Sequence, residues 1–148
     1  AAFSAGGTRR VAPLATRRAV SKREWIAAHL AHGALGLDAS SVQRDSADAV
    51  IDTEHVRIIL FDTNHPAGDF QGSVGGTQLQ WLEQRLTEVD REPGRLAVLA
   101  SHHGAVSLTN SRGADPQRRH ADALTTLLHR HPCLVAWLPS STPSSVSY

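Results

Sequence analysis

Apolar residues fall into two rhythms along this chain. Val56 to Phe61, Leu96 to Ala100 and Cys133 to Leu138 are short, nearly continuous apolar runs. They are too short for helices and, with Pro93-Gly94 punctuating one entry, they predict buried strands over 56–61, 96–101 and 133–138. Ala49-Val50-Ile51 ahead of the first run, with a turn at residues 52–55 between them, predicts a hairpin. The other rhythm is helical. Leu79, Leu82, Leu86 and Val89 recur at steps of three, four and three, one stripe on a helix over 77–90, with Thr77 as N-cap and Gln80 as its capping-box partner. Ser21 and Glu24 form another capping box, opening a helix over 22–32 that carries Ile26 and Leu30 and stops at Gly33. Asp115-Pro116 starts a third, over 116–130, with Leu124, Leu127 and Leu128 on its buried face. Residues 1–20, 33–46, 104–114 and 139–148 show no such pattern. They read as a poorly tied terminus, two loops and an irregular tail.

The order hairpin, helix, strand, helix, strand defines an α/β layer, helices packed on a mixed, largely parallel sheet. At 148 residues the chain suits one domain. A net charge of +1, with Arg9-Arg10, Arg17-Arg18 and Arg118-Arg119 as separated doublets, gives no nucleic-acid-binding stripe. The lone Cys133 excludes an intrachain disulfide and a multi-cysteine zinc site, and its apolar surroundings predict a buried small hydrophobe. No run reaches a membrane span and the first residues are not a signal peptide, so a soluble chain is expected. It begins without Met, and the expectation is a piece of something longer.

Chemistry concentrates where the 96–101 run ends in Ser101-His102-His103-Gly104. Carboxyl ends of parallel strands are where open α/β sheets bind ligands, so both imidazoles are candidates for ligation or catalysis. The alternative is that they cap backbone groups. Ser101 and His102 are not a serine-hydrolase pair, since strand neighbours point to opposite faces and no G-x-S-x-G elbow surrounds the serine. Asp62 to Gly68 form a second polar loop at a strand's carboxyl end, while Gly72, Gly75 and Gly76 fit neither a P-loop nor a dinucleotide fingerprint and read as a flexible connection. His129-Arg130-His131 place positive charge at a helix C-terminus, a structural role.

Taken together, GGTQLQWLEQRL at 75–86, the strand ending in SHH, the following helix and HPCLVAWL at 131–138 resemble the C-terminal half of a calcineurin-like metallophosphoesterase. FDTNHPAG at 61–68 before the Q-x-x-WL helix is similar to a bacterial subgroup with a DT-x-x-PxG loop. The resemblance runs from about residue 16 to 138 and implies part of a four-layer αββα sandwich over 21–138. It implies hydrolysis of a phosphate-ester substrate by water activated on two divalent metals, Mn, Fe or Zn. His102 matches a metal ligand, and His103 a cleft-lining position and weak catalytic candidate. The family's D-x-H, GD and Asn-His motifs belong upstream of residue 1. Its Gly-His-x-His is expected after Leu138, where the sequence reads Pro139-Ser140-Ser141-Thr142. The expectations are an inactive fragment with at most one weakly bound metal, or a non-enzymatic α/β chain without a site. An apolar sheet face left uncovered would favour pairing or aggregation.

Overall fold

The computed structural model describes residues 20–33, 36–65, 72–104, 108 and 116–141. Four strands form one sheet in the order β1 (Ala49–Asp52), β2 (Val56–Phe61), β3 (Leu96–His103) and β4 (Leu134–Ser141). β1 and β2 pair antiparallel as the predicted hairpin, from Ala49 opposite Leu60 to Asp52 opposite Arg57. β2, β3 and β4 are parallel neighbours, with Ile59 beside Leu99 and Leu99 beside Trp137. The α/β class and the mixed, mostly parallel sheet are therefore as the apolar rhythm predicts.

The helices are α1 (Lys22–Ala31), α2 (Ala39–Arg44), α3 (Gly76–Asp90) and α4 (Pro116–Arg130). α1 carries the expected box: Glu24 N donates to Ser21 Oγ at 3.2 Å and Ser21 N to Glu24 Oε2 at 2.9 Å. α2 corrects the loop expected over 33–46. Asp38 caps it through Ser41 N at 3.1 Å, and Asp45 ends it with a left-handed φ of 53°. α3 also starts earlier than expected, on Gly75 rather than Thr77, and Gln78 rather than Gln80 is the side chain that folds back on the cap. Asp115, the expected cap of α4, lies outside the described residues.

Two strand ends move outward. β3 runs to His103, and β4 continues through Pro139, Ser140 and Ser141, which the sequence pattern assigns to an irregular tail. A proline fits there because β4 is the edge strand among the described residues, where an outward amide has no ladder partner among them to lose. Cys133 sits just before β4 rather than in it.

The core lies between the sheet and helices α3 and α4. Ile59, Phe61, Ala97 and Leu99 meet Leu82, Leu86 and Val89 of α3 and Leu124 and Leu127 of α4. Strand-to-strand crossovers that step in one direction with one hand put both helices on one face. At the far end of α3, Asp90 holds the start of β4: Cys133 N donates to Oδ1 at 3.2 Å, and His131 Nδ1 lies 2.6 Å from Oδ2. These contacts give His131 the structural role expected of it, while His129 and Arg130 are exposed. Burial beside Asp90 pushes the Cys133 thiol up to about 12, so it is the inert apolar filler expected. The sheet's other face carries Ile58, Leu60, Val98 and Ala100, half-buried, and the exposed Leu138. Among the described residues, no helix is long and apolar enough to cross a membrane.

Candidate functional site at the carboxyl edge of the sheet

The parallel strands deliver Asp62-Thr63-Asn64 after β2, Ser101-His102-His103 at the end of β3, and Pro139-Ser140 in β4 to one edge. Alternation along β3 then separates the two histidines. His103 turns to the helix side and is buried at 7% exposure. Its Nδ1 lies 2.9 Å from Thr63 Oγ1, and its own amide donates to that oxygen at 3.0 Å. A hydroxyl accepting the amide has one proton left to offer Nδ1, so the side chain and backbone of His103 are clamped to the β2 loop by one threonine. Gly72 closes the other side. A Cβ there would stand 2.7 Å from the His103 Cγ and 2.6 Å from Leu108 Cδ2, so this glycine is required by close packing rather than by flexibility.

His102 is exposed and turns the other way. The resemblance implies a place for His102 near the loop at 62–68, of which 66–68 lie outside the described residues; over 62–65 the hydrogen bonds to Thr63 are those of His103. The His102 Nδ1 pairs with Ser140 Oγ at 2.9 Å, while its ring meets that of His103 edge-on at 4.7 Å. Its Nε2 has no hydrogen-bond partner among the described residues. Ser101 Oγ donates to the His103 carbonyl at 2.7 Å and accepts from Trp137 Nε1 at 2.8 Å, so it is not paired with His102.

Behind this edge sits a buried polar lock. Gln78 Nε2 donates to the Asp62 carbonyl at 2.7 Å and to Ser46 Oγ at 3.0 Å, and lies 3.3 Å from both Asp48 oxygens. Its Oε1 accepts the Gly75 amide at 2.9 Å. Asp48 in turn accepts from Asp62 N at 2.8 Å and Ser46 Oγ at 2.6 Å. Desolvation outweighs those donors and raises the Asp48 carboxyl to about 6, with the Asp62 charge adding to the rise. The Asp62 carboxylate is itself spoken for. Lys22 Nζ lies 2.8 Å from Oδ2, Ala47 N donates to Oδ2 at 2.9 Å, and Asn64 N donates to Oδ1 at 3.0 Å. The two segments that carry the family resemblance, Asp62-Thr63 and Gln78, are thus bonded to each other. Periodicity alone does not find this lock, because Gln78 shares the buried face with Leu82, Leu86 and Val89 but is polar, so an apolar count passes over it.

Among the described residues, no three His, Cys, Asp or Glu side chains converge as they would around a metal ion. Asp62 is committed to Lys22 and backbone amides. A dinuclear centre does not fit this donor set; one open imidazole, that of His102, is what these residues supply. No protein-family model matches the chain, and no curated protein matches it.

Proposed function

We propose that this chain is the C-terminal half of a calcineurin-like metallophosphoesterase domain, in which His102 is a metal ligand and His103 shapes the edge beside it. The supporting observation is the state of the His102 ring. Metal-bound histidines hold their second ring nitrogen in a hydrogen bond that fixes orientation, and His102 has Nδ1 on Ser140 with Nε2 open. The Asp62–Gln78 lock adds support, since it joins the two motifs on which the resemblance rests. Phosphate-ester hydrolysis in that family needs two divalent ions, Mn, Fe or Zn, to activate water and clamp the phosphoryl oxygens. This chain's own contribution is narrower: it presents one imidazole, held at Nδ1 by Ser140, at a sheet edge whose backbone is pinned by Thr63.

By itself the chain is expected to show no hydrolysis of an aryl phosphate monoester or diester above blank, with Mn²⁺, Fe²⁺ or Zn²⁺ supplied. One protein ligand cannot hold two ions or orient the attacking water. Metal-dependent turnover that disappears in a His102→Ala protein would contradict this reading. A non-enzymatic α/β chain is the alternative. It is favoured if His102→Ala leaves metal binding unchanged.

A further inference from the structure

We propose that the Asp48 carboxyl is a proton-operated latch: protonated, it holds the loop after β2 against the start of α3; ionised, it lets the two part. The sheet edge that carries the histidines therefore loosens as pH rises. The inference concerns this chain's own conformation and stands independently of the phosphoesterase reading.

Asp48 lies just ahead of β1 at 1% exposure, and no cation pairs with it among the described residues. Lys22 is held instead by the Asp62 carboxylate and by the Asn64 carbonyl at 2.9 Å. Donors are short as well. The Gln78 amide group has two protons for four neighbouring oxygens, and its closer contacts are the Asp62 carbonyl at 2.7 Å and Ser46 Oγ at 3.0 Å, ahead of the Asp48 oxygens at 3.3 Å. An ionised Asp48 is left with Asp62 N and the Ser46 hydroxyl as its firm donors, beside the like charge of Asp62. The neutral acid fits the same frame without strain. The 2.6 Å spacing between Ser46 Oγ and Asp48 Oδ2 suits a hydrogen bond in either direction, so a proton on Oδ2 is accommodated by turning the serine hydroxyl, with no heavy atom moving.

A buried carboxylate short of donors gains by meeting water. The way in is a cavity of about 320 Å³ whose wall includes Ser46 and Gln78. Lys22 of α1, Arg44 and Asp45 at the end of α2, His65, and His120 of α4 also line it, so the titratable and charged groups around the latch include both acids and bases. Opening there draws Ser46 and Asp48 away from Gln78 and weakens the Gln78–Asp62 tie. Thr63, the next residue, clamps His103, whose ring meets that of His102, so the release reaches the candidate site. The sign follows from burial. Desolvation raises the Asp48 carboxyl to about 6 in the closed latch, and water returns it toward 3.8 in the open one. The closed state binds the proton more tightly, so closure is favoured at low pH and lost as pH rises through about 6.

The test is amide nitrogen relaxation dispersion on the full chain at pH 5 and pH 7.5, with the carboxyl carbon shift of Asp48 followed between them. The carboxyl is expected to titrate near 6. Microsecond-to-millisecond exchange should grow with pH at Asp62, Asn64 and Gly75, the open population rising roughly five- to tenfold, while Ile59 and Leu99 in the core stay quiet. Asp48→Asn is uncharged at both pH values and should remove the pH dependence of the exchange. Circular dichroism checks that this variant folds; if it does not, the titration and dispersion of the parent decide. A carboxyl that titrates near 3.8, exchange that does not grow with pH, growth that spreads to Ile59 and Leu99, or growth that persists in a folded Asp48→Asn protein would overturn the proposal.

Discussion

Replacing Gln78 with alanine is expected to lower the free energy of unfolding by about 3–4 kcal/mol, a large share of the ~5–15 kcal/mol typical of a domain. The side chain is buried, at 8% exposure, and serves three structural elements at once. Its loss strands the Gly75 amide and the Asp62 carbonyl and takes a donor away from the Asp48 carboxylate. Each stranded group costs about 1–3 kcal/mol when water cannot reach it. Gln78→Glu should be worse still, because it sets a second acceptor against Asp48. Gln80, two residues on, is exposed, and Gln80→Ala should fall within about 0.5 kcal/mol of the parent. Urea denaturation of the three variants measures this. A Gln78→Ala loss no larger than that of Gln80→Ala would mean that water replaces the lock.

The Asp48 carboxyl should make the protein less stable as pH rises through about 6. Its folded value lies above the usual carboxylate value of 3.8, so between the two the folded state binds more protons than the unfolded chain. This contribution is fully present below 3.8 and lost as pH passes about 6. The whole shift corresponds to roughly 3 kcal/mol, of which about 1 kcal/mol is lost between about pH 5 and pH 7.5. Asp38, Asp52 and Asp90 act in the opposite sense. The Ser40 hydroxyl holds Asp38 low, the Arg57 guanidinium holds Asp52 low, and hydrogen bonds from Cys133 and His131 outweigh burial at Asp90. Their stabilisation is present above the unfolded carboxylate value and lost as pH falls through their folded values. Asp48→Asn isolates the one group: its amide oxygen still accepts from Asp62 N, and its NH₂ faces Ser46 Oγ. Denaturation at several pH values should show the slope between about pH 5 and pH 7.5 shrinking in that variant. An unchanged slope would assign it to other groups.

Apolar rhythm makes most of the layer legible. The stripe Leu82, Leu86 and Val89 and the runs around Ile59 and Leu99 become the core because period and burial are the same physical fact. Caps are less legible. Thr77 looks like the better N-cap, yet the chain starts α3 at Gly75 because Gln78, not Gln80, can turn inward to Asp62 and Asp48. That choice depends on partners 16 to 32 residues away in sequence, from Asp62 to Ser46, which local propensity does not contain. α2 is short and held by Asp38 and Ser41, so no apolar period announces it. At the sheet edge the sequence locates both histidines and their strand. Their division of labour emerges only from strand alternation and from Thr63 and Ser140, which decide that His103 is clamped inside and His102 presented outside.

The most direct test of that division is a Zn²⁺ titration followed by imidazole proton–nitrogen correlation spectra of the nine histidines. The His102 resonances should move first and saturably, those of His103 should hold their positions, and His102→Ala should abolish the response without altering the fold. Zinc that perturbs His103 instead, or that binds the His102→Ala protein as it binds the parent, would contradict the assignment of His102 as the presented ligand.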